Sequence, residues 1–132
     1  EMKSKLIVWN VCGLNDPNKR AVIKGVLKEW KPILVCLQES KMEEMSSSVV
    51  RSIWGGRWVE WFAVAARGSA GGILLMWDSR ALVCKEQSKG RFSISGLFNL
   101  LAEDFEWSFI GIYGPLNDTD NCFLGGAEDC RV

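Results

Sequence analysis

Two short apolar runs constrain this chain more than anything else in it. Leu6 to Val11 reads LIVWNV, with a polar Asn at its end, and Ile33 to Leu37 reads ILVCL without a break. A short run without polar alternation suits a strand buried on both faces, in a sheet covered on both sides. Between the runs the period changes. Asp16-Pro17 has the form of a helix N-cap followed by proline at the first helical position. Val22, Val26 and Trp30 then recur at i, i+4 and i+8, flanked by Ile23 and Leu27, with Lys19, Lys24 and Lys28 mostly off the stripe. Pro32 stops the helix, since proline cannot continue the hydrogen-bond ladder. Strand, helix and strand in succession make a β-α-β unit whose two strands run parallel.

A second helix is expected over Glu43 to Ile53, with Met45, Val49 and Ile53 as its stripe and Gly55-Gly56 as its stop. The serines at 46 to 48 weaken it. Beyond Gly56 the texture is β-like: Trp58 to Ala65, Ile73 to Trp77, a hairpin of Leu82 to Gln87 and Arg91 to Leu97 around Ser88-Lys89-Gly90, and Trp107 to Tyr113 closed by Gly114-Pro115. Arg67 to Gly72 reads as a flexible loop. From Leu116 the pattern fades: Asn117 to Asn121 could cap a helix, but Cys122 to Cys130 carries no period. The order βαβα followed by strands predicts an α/β sandwich whose sheets mix parallel and antiparallel pairs.

Composition excludes several chemistries. The 132 residues suit one domain, and 48% hydrophobic content with seven Trp and six Phe supplies a bulky core. There is no histidine, so this chain has no imidazole to act as base, acid or metal ligand. Sixteen basic residues balance sixteen acidic ones, so net charge neither announces nor excludes a nucleic-acid partner, and it lowers solubility. The five cysteines form no C-x-x-C pair, which argues against a disulfide framework or a zinc site. Cys36 reads as a small core residue. An intracellular, reducing compartment is expected, nucleus and cytoplasm both remaining open. No run approaches the ~20 apolar residues of a membrane span, and the first residues lack the form of a signal peptide, so no membrane partner is expected.

Asn10 and Glu39 stand at the ends of the two apolar runs. In neighbouring parallel strands both side chains meet at one sheet end, where α/β sheets place ligands. A carboxylate beside an amide oxygen suits Mg²⁺, which takes hard oxygen ligands and keeps several waters. The plainer reading is that Asn and Glu after a strand are turn or surface residues.

The segments LIVWNVCGLN, ILVCLQESK, SAGGILLMW and FIGIYGP, in this order, resemble the endonuclease/exonuclease/phosphatase family of DNase I-like fold. The closest look is to the endonuclease domain of plant LINE-type retroelements. The resemblance runs from Lys5 to about Phe123 and covers roughly the first half of the family domain. It implies part of a four-layer α/β sandwich, with residues 1–124 as the truncated domain and 125–132 as an atypical tail. It further implies Glu39 as the Mg²⁺ ligand, Asn10 at the scissile phosphate, Tyr113 on the attacked phosphate and, more loosely, Asn117 on the nucleic-acid backbone. Gln38 and Lys41 flank and support the site, and Gly71-Gly72 open an inner strand. The implied partner is DNA.

The departures from the family pattern carry as much weight. Cys12 stands where relatives often have Asp, Asn or Arg. The family's later Gly-Asp-Phe-Asn and Ser-Asp-His motifs do not occur. Groups that position the nucleophile and activate water act as a unit, so their loss is not graded. The expectation is a fragment of a Mg²⁺-dependent DNA phosphodiesterase without activity. One alternative is a non-catalytic retroelement remnant with weak nucleic-acid or protein binding. The other is a relative of the phosphoinositide phosphatases or deadenylases of this fold. A missing half leaves an apolar sheet face and open strand edges, which are surfaces for self-association.

Other features have bland readings that outweigh the functional ones. Trp54, Trp58 and Trp61 are read as packing rather than as a stacking platform for bases. Lys85, Lys89 and Arg91 read as a solvated hairpin tip as readily as a phosphate contact. Arg67-Gly68-Ser69 reads as a connection before a phosphate cradle, and Asp118 and Asp120 as helix caps before cation ligands.

Overall fold

In a computed structural model of the chain the residues described are 5–66, 71–90, 93–112 and, for the backbone only, 128–131. The elements run β1 (Lys5–Asn10), α1 (Pro17–Trp30), β2 (Leu34–Gln38), α2 (Ser47–Trp54), β3 (Val59–Val64), β4 (Ile73–Asp78), β5 (Leu82–Lys89), β6 (Ser93–Leu100), β7 (Phe105–Ile112) and β8 (Glu128–Arg131). They form a five-stranded sheet, β3-β4-β2-β1-β8, and a three-stranded sheet, β5-β6-β7. β1 and β2 are parallel, with Asn10 opposite Gln38, and the other pairs are antiparallel. The expected mixed α/β sandwich is therefore present, with two sheets.

Alternation along the central strands builds two cores. Ile7, Trp9, Val35, Leu37, Leu74 and Met76 face the helices and pack with Ile23, Leu27, Val50 and Ile53. Their neighbours Leu6, Leu34, Cys36, Ile73, Leu75 and Trp77 face the other way, onto Leu82, Ile94, Phe98 and Leu100 of the second sheet. Helices, five-stranded sheet and three-stranded sheet thus form three layers. Covering on both sides is why the runs at β1, β2 and β4 lack polar positions. By contrast, β6 has one face in the core and alternates strictly, with Ile94, Gly96, Phe98 and Leu100 buried. The outer face of the three-stranded sheet is uncovered among the described residues: Val83, Ile110 and Ile112 are exposed, the last two by 64% and 69%.

Both helices have side-chain caps. The Asp16 carboxylate accepts the Asn18 N–H at 2.9 Å, and Lys31 closes α1 in a left-handed conformation with its N–H on the Leu27 carbonyl at 2.9 Å. The buried line of α1 is Ile23–Leu27, while Val22 is 63% exposed. Positions i and i+4 drift by about 40° around a helix of 3.6 residues per turn, so the line begun at exposed Val22 swings onto the core at Val26 and Trp30, both partly buried, while Ile23 and Leu27 are buried. The second helix starts at Ser47, four residues later than expected from Glu43. Ser46 is the reason: its hydroxyl accepts the Val49 N–H at 3.2 Å, so the first serine of the run caps the helix. β8 lies where the sequence shows no period. Pairing to the edge of β1 uses backbone groups and needs no side-chain pattern.

At one end of the large sheet the ladder continues past the strands. Val11, Gly13 and Leu14 donate to the carbonyls of Gln38, Glu39 and Ser40 at 3.0, 2.7 and 2.9 Å. Ser40 and Lys41 donate to Gly72 and Gly71 at 3.1 and 3.0 Å. Gly72 has φ +88, and a Cβ there would run into the Ser40 hydroxyl and lie 3.2 Å from the Lys41 nitrogen. The paired glycines that open β4 are thus required by backbone conformation and by close approach to the loop after β2.

Three outcomes follow from this packing. Phe98 is fully buried between the sheets, edge-on to Trp77 at 5.1 Å and 5.5 Å from Trp107. Phe98→Ala is expected to lower stability by about 3–5 kcal/mol, read as a fall in the urea midpoint. Gly72→Ala is expected to cost about 1–3 kcal/mol, with part of the loss recovered in Gly72→Ala/Ser40→Gly; an unchanged midpoint for the single variant would refute the close-approach argument. Burial pushes the Cys36 thiol up to about 12, so in the folded protein it stays protonated at pH 8 and loses its proton only as pH climbs through that value. Iodoacetamide at pH 8, followed by peptide mass spectrometry, should leave Cys36 unlabelled until denaturant is added.

Candidate functional site

The β-α-β unit brings Asn10 to the last position of β1 and Glu39 to the residue after β2. Their strand ends are hydrogen-bonded neighbours, through the Asn10–Gln38 pairing and the Val11–Gln38 bond. The juxtaposition expected from the sequence is present at the backbone level. Tyr113 and Asn117 lie outside the described residues, as do Arg67-Gly68-Ser69, Asp118 and Asp120.

The backbone here is bent in an unusual way. Among the described residues five non-glycines have left-handed φ, and three of them, Cys12 (55), Glu39 (57) and Lys41 (55), lie in the loops after β1 and β2. Each costs on the order of 1 kcal/mol or more and persists only where surrounding bonds enforce it. The enforcing bonds are visible. The Asn10 side-chain oxygen accepts the Cys12 N–H at 3.2 Å, closing a tight turn. The Lys19 ammonium donates to the carbonyls of Val11 and Cys12 at 2.8 and 3.1 Å, fastening the first turn of α1 to that loop. Asn15 donates from its amide to the Lys41 carbonyl at 3.0 Å.

Two contributors escape a sequence reading. Lys19 reads only as a residue off the helical stripe, and nothing in its neighbourhood signals that its ammonium caps two loop carbonyls. Gln38 reads as a flanking residue, yet its amide donates to the Ile112 carbonyl at 3.0 Å and ties the end of β7 to the end of β2. That contact joins the two sheets at this end, directly before Tyr113.

Cys12 departs from the expectation that no disulfide forms. It is disulfide-bonded. Cys36 and Cys84 are free, so its partner lies outside the described side chains. Cysteine spacing could not reveal the bond, because chain folding, not sequence separation, decides which thiols meet.

The Glu39 carboxylate is half-buried and has no hydrogen bond or ion pair with any described residue. Among the described residues no group of three or more His, Cys, Asp or Glu side chains converges. Among the described residues the donors at the two strand ends are the Glu39 carboxylate and the Asn10 amide oxygen. A cage of protein ligands is not formed, but Mg²⁺ commonly takes only one or two carboxylates, with water and substrate phosphate completing the octahedron. The residues present fit that kind of site. A hollow of about 620 Å³ lined by Asn15, Lys41, Met42, Glu43 and Glu44 lies against the loop after β2, without Asn10 or Glu39 in its wall. Among the described residues no helix is long and apolar enough to cross a membrane.

No protein-family model matches the chain, and no curated protein matches it. Solved structures do. Zebrafish (D. rerio) TDP2 complexed with a single-strand DNA product superposes with a TM-score of 0.58 at 18% identity, covering 89% of this chain and 49% of that one. An AP endonuclease, LMAP, from Leishmania major gives 0.58 at 19% identity, covering 84% and 40%. An endonuclease/exonuclease/phosphatase family protein from Bacteroides thetaiotaomicron gives 0.59 at 11% identity, covering 83% and 50%. The chain thus has the DNase I-like fold of these proteins and spans half or less of their length.

Proposed function

We propose that this chain is the front portion of a Mg²⁺-dependent phosphodiesterase domain, by descent a DNA endonuclease of a plant LINE-type retroelement, and that the 132 residues by themselves do not turn over substrate. The observation that carries the reading is the position of Asn10 at the end of β1, opposite Gln38, with Glu39 one residue beyond, on a backbone bent left-handed at Cys12, Glu39 and Lys41. Strain of that kind gathers at functional sites, and a carboxylate at the carboxyl end of a parallel pair is where α/β folds place ligand chemistry.

In this reading residues 1–124 belong to the family domain and 125–132 are an atypical tail. Glu39 would hold the metal. When bound, Mg²⁺ supplies charge stabilisation to the phosphate oxygens and a template for in-line attack. Asn10 directs its amide toward the scissile phosphate, Tyr113 donates to it, and Asn117 touches the nucleic-acid backbone. What is lacking is the family's own means of activating water: the sequence has no histidine, and neither of the family's later motifs supplies its Asp or Asn. Positioning without activation leaves little rate, because such groups act together. The exposed Ile110 and Ile112 on the outer face of the small sheet support association with a second chain.

The test is a supercoiled-plasmid nicking assay with Mg²⁺, run on the parent and Glu39→Gln after circular dichroism confirms that both fold. Neither is expected to nick. In parallel, Mn²⁺ binding followed by electron paramagnetic resonance should be weak in the parent and at least tenfold weaker in Glu39→Gln. Glu39-dependent nicking would overturn the inactivity. Equal Mn²⁺ affinity in the two proteins would remove Glu39 from the metal.

A further inference from the structure

The opposite end of the large sheet carries a groove of about 760 Å³. Its walls come from the ends of α1 and α2, the approach to β2 and the turn between β4 and β5. Charge is segregated here. The chain as a whole is neutral, yet the lining holds the cations Lys28, Lys31 and Arg80 against a single carboxylate, Asp78. Asp78 is committed to Arg80 at 3.1 Å, and neither lysine has a carboxylate partner among the described residues.

The lysines alone would mean little, since cations are favoured at the end of α1 by the helix dipole. The aromatic component is different. Of the three tryptophans read as packing, Trp54 and Trp61 do pack against the helix-side core. Trp58 belongs to neither core and is 45% exposed. Two guanidinium groups from separate loops converge on its ring, Arg57 at 5.1 Å and Arg80 at 6.0 Å from the centroid. The Ser79 N–H donates to the Trp58 carbonyl at 3.1 Å and holds the ring beside the turn that carries Arg80. Asp78 answers the Arg80 charge, while Arg57 has no carboxylate partner among the described residues. Indole and guanidinium planes both stack on bases, and the lysines that line the groove match a phosphate backbone.

We propose that this groove, together with the Trp58 surface joined to it through Arg80, binds single-stranded nucleic acid, with a base stacked at Trp58 and phosphates along Arg57, Lys31 and Lys28, at the end of the sheet away from Asn10 and Glu39. An acidic polypeptide would satisfy the cations but offers nothing flat to the indole. The site requires no metal and stands apart from the phosphodiesterase reading.

Anisotropy of a fluorescein-labelled oligothymidylate, titrated in EDTA over a range of KCl, tests it. Trp58→Ala should weaken binding about fivefold or more. Lys31→Ala/Arg57→Ala should weaken it and flatten the slope of log affinity against log salt by about 1.4, at about 0.7 per lost cation. Lys85→Ala, a charge removal on the other sheet, should bind like the parent. Circular dichroism establishes that each variant folds. Parent-like binding by Trp58→Ala and the double variant would overturn the proposal, as would absence of binding by the parent. Displacement by polyglutamate as effective as by unlabelled oligothymidylate would overturn it in favour of an acidic polypeptide.

Discussion

Everything in this structure depends on burying both faces of β1, β2 and β4. Each of these strands sends alternate side chains to the helices and to the second sheet, and neither set is left in water. Double-sided burial fixes register strictly: a slip by one residue would exchange the two cores, which differ in shape and in the elements that cover them. With register fixed, Asn10 must lie opposite Gln38, and Glu39 must emerge one step beyond. The position of the candidate site is therefore a consequence of hydrophobic packing, before any polar contact forms.

The polar contacts then set its shape. Loops after β1 and β2 and the entry to β4 share a continued backbone ladder, closed at Gly71 and Gly72. Lys19 fastens this ladder to α1, and Gln38 fastens it to β7. Left-handed conformations at Cys12, Glu39 and Lys41 are held by these bonds and would relax in a free peptide. The two ends of the sheet differ in chemistry as a result. One presents a carboxylate and an amide on a strained backbone. The other presents cations and an exposed indole on ordinary helix ends and turns.

Much of the architecture was legible because burial writes itself into residue choice. The apolar runs predicted β1 and β2 and their parallel pairing, Asp16-Pro17 predicted the start of α1, and the hairpin around Ser88-Lys89-Gly90 predicted β5 and β6. Failures came where a feature admits two geometries. The apolar arc on α1 contains two lines, and only contact with the sheet selects Ile23–Leu27 over Val22–Val26. Three serines in a row weaken a helix interior and also make its cap, and the second role prevailed at Ser46. β8 has no side-chain pattern because its pairing is a backbone matter.

Sequence by itself determined the element types, the sandwich class and the candidacy of Asn10 and Glu39, since period, caps and strand-end polarity are local properties. Only tertiary structure decided what touches what. It made Lys19 a clamp on a loop eight residues away, Gln38 a tie between sheets across seventy-four residues, and Trp58 an exposed ring between two arginines while its neighbours were buried. The physical reason is common to all three. A side chain's hydrogen-bond partner or covering surface is supplied by another part of the chain, and its position depends on how whole layers pack.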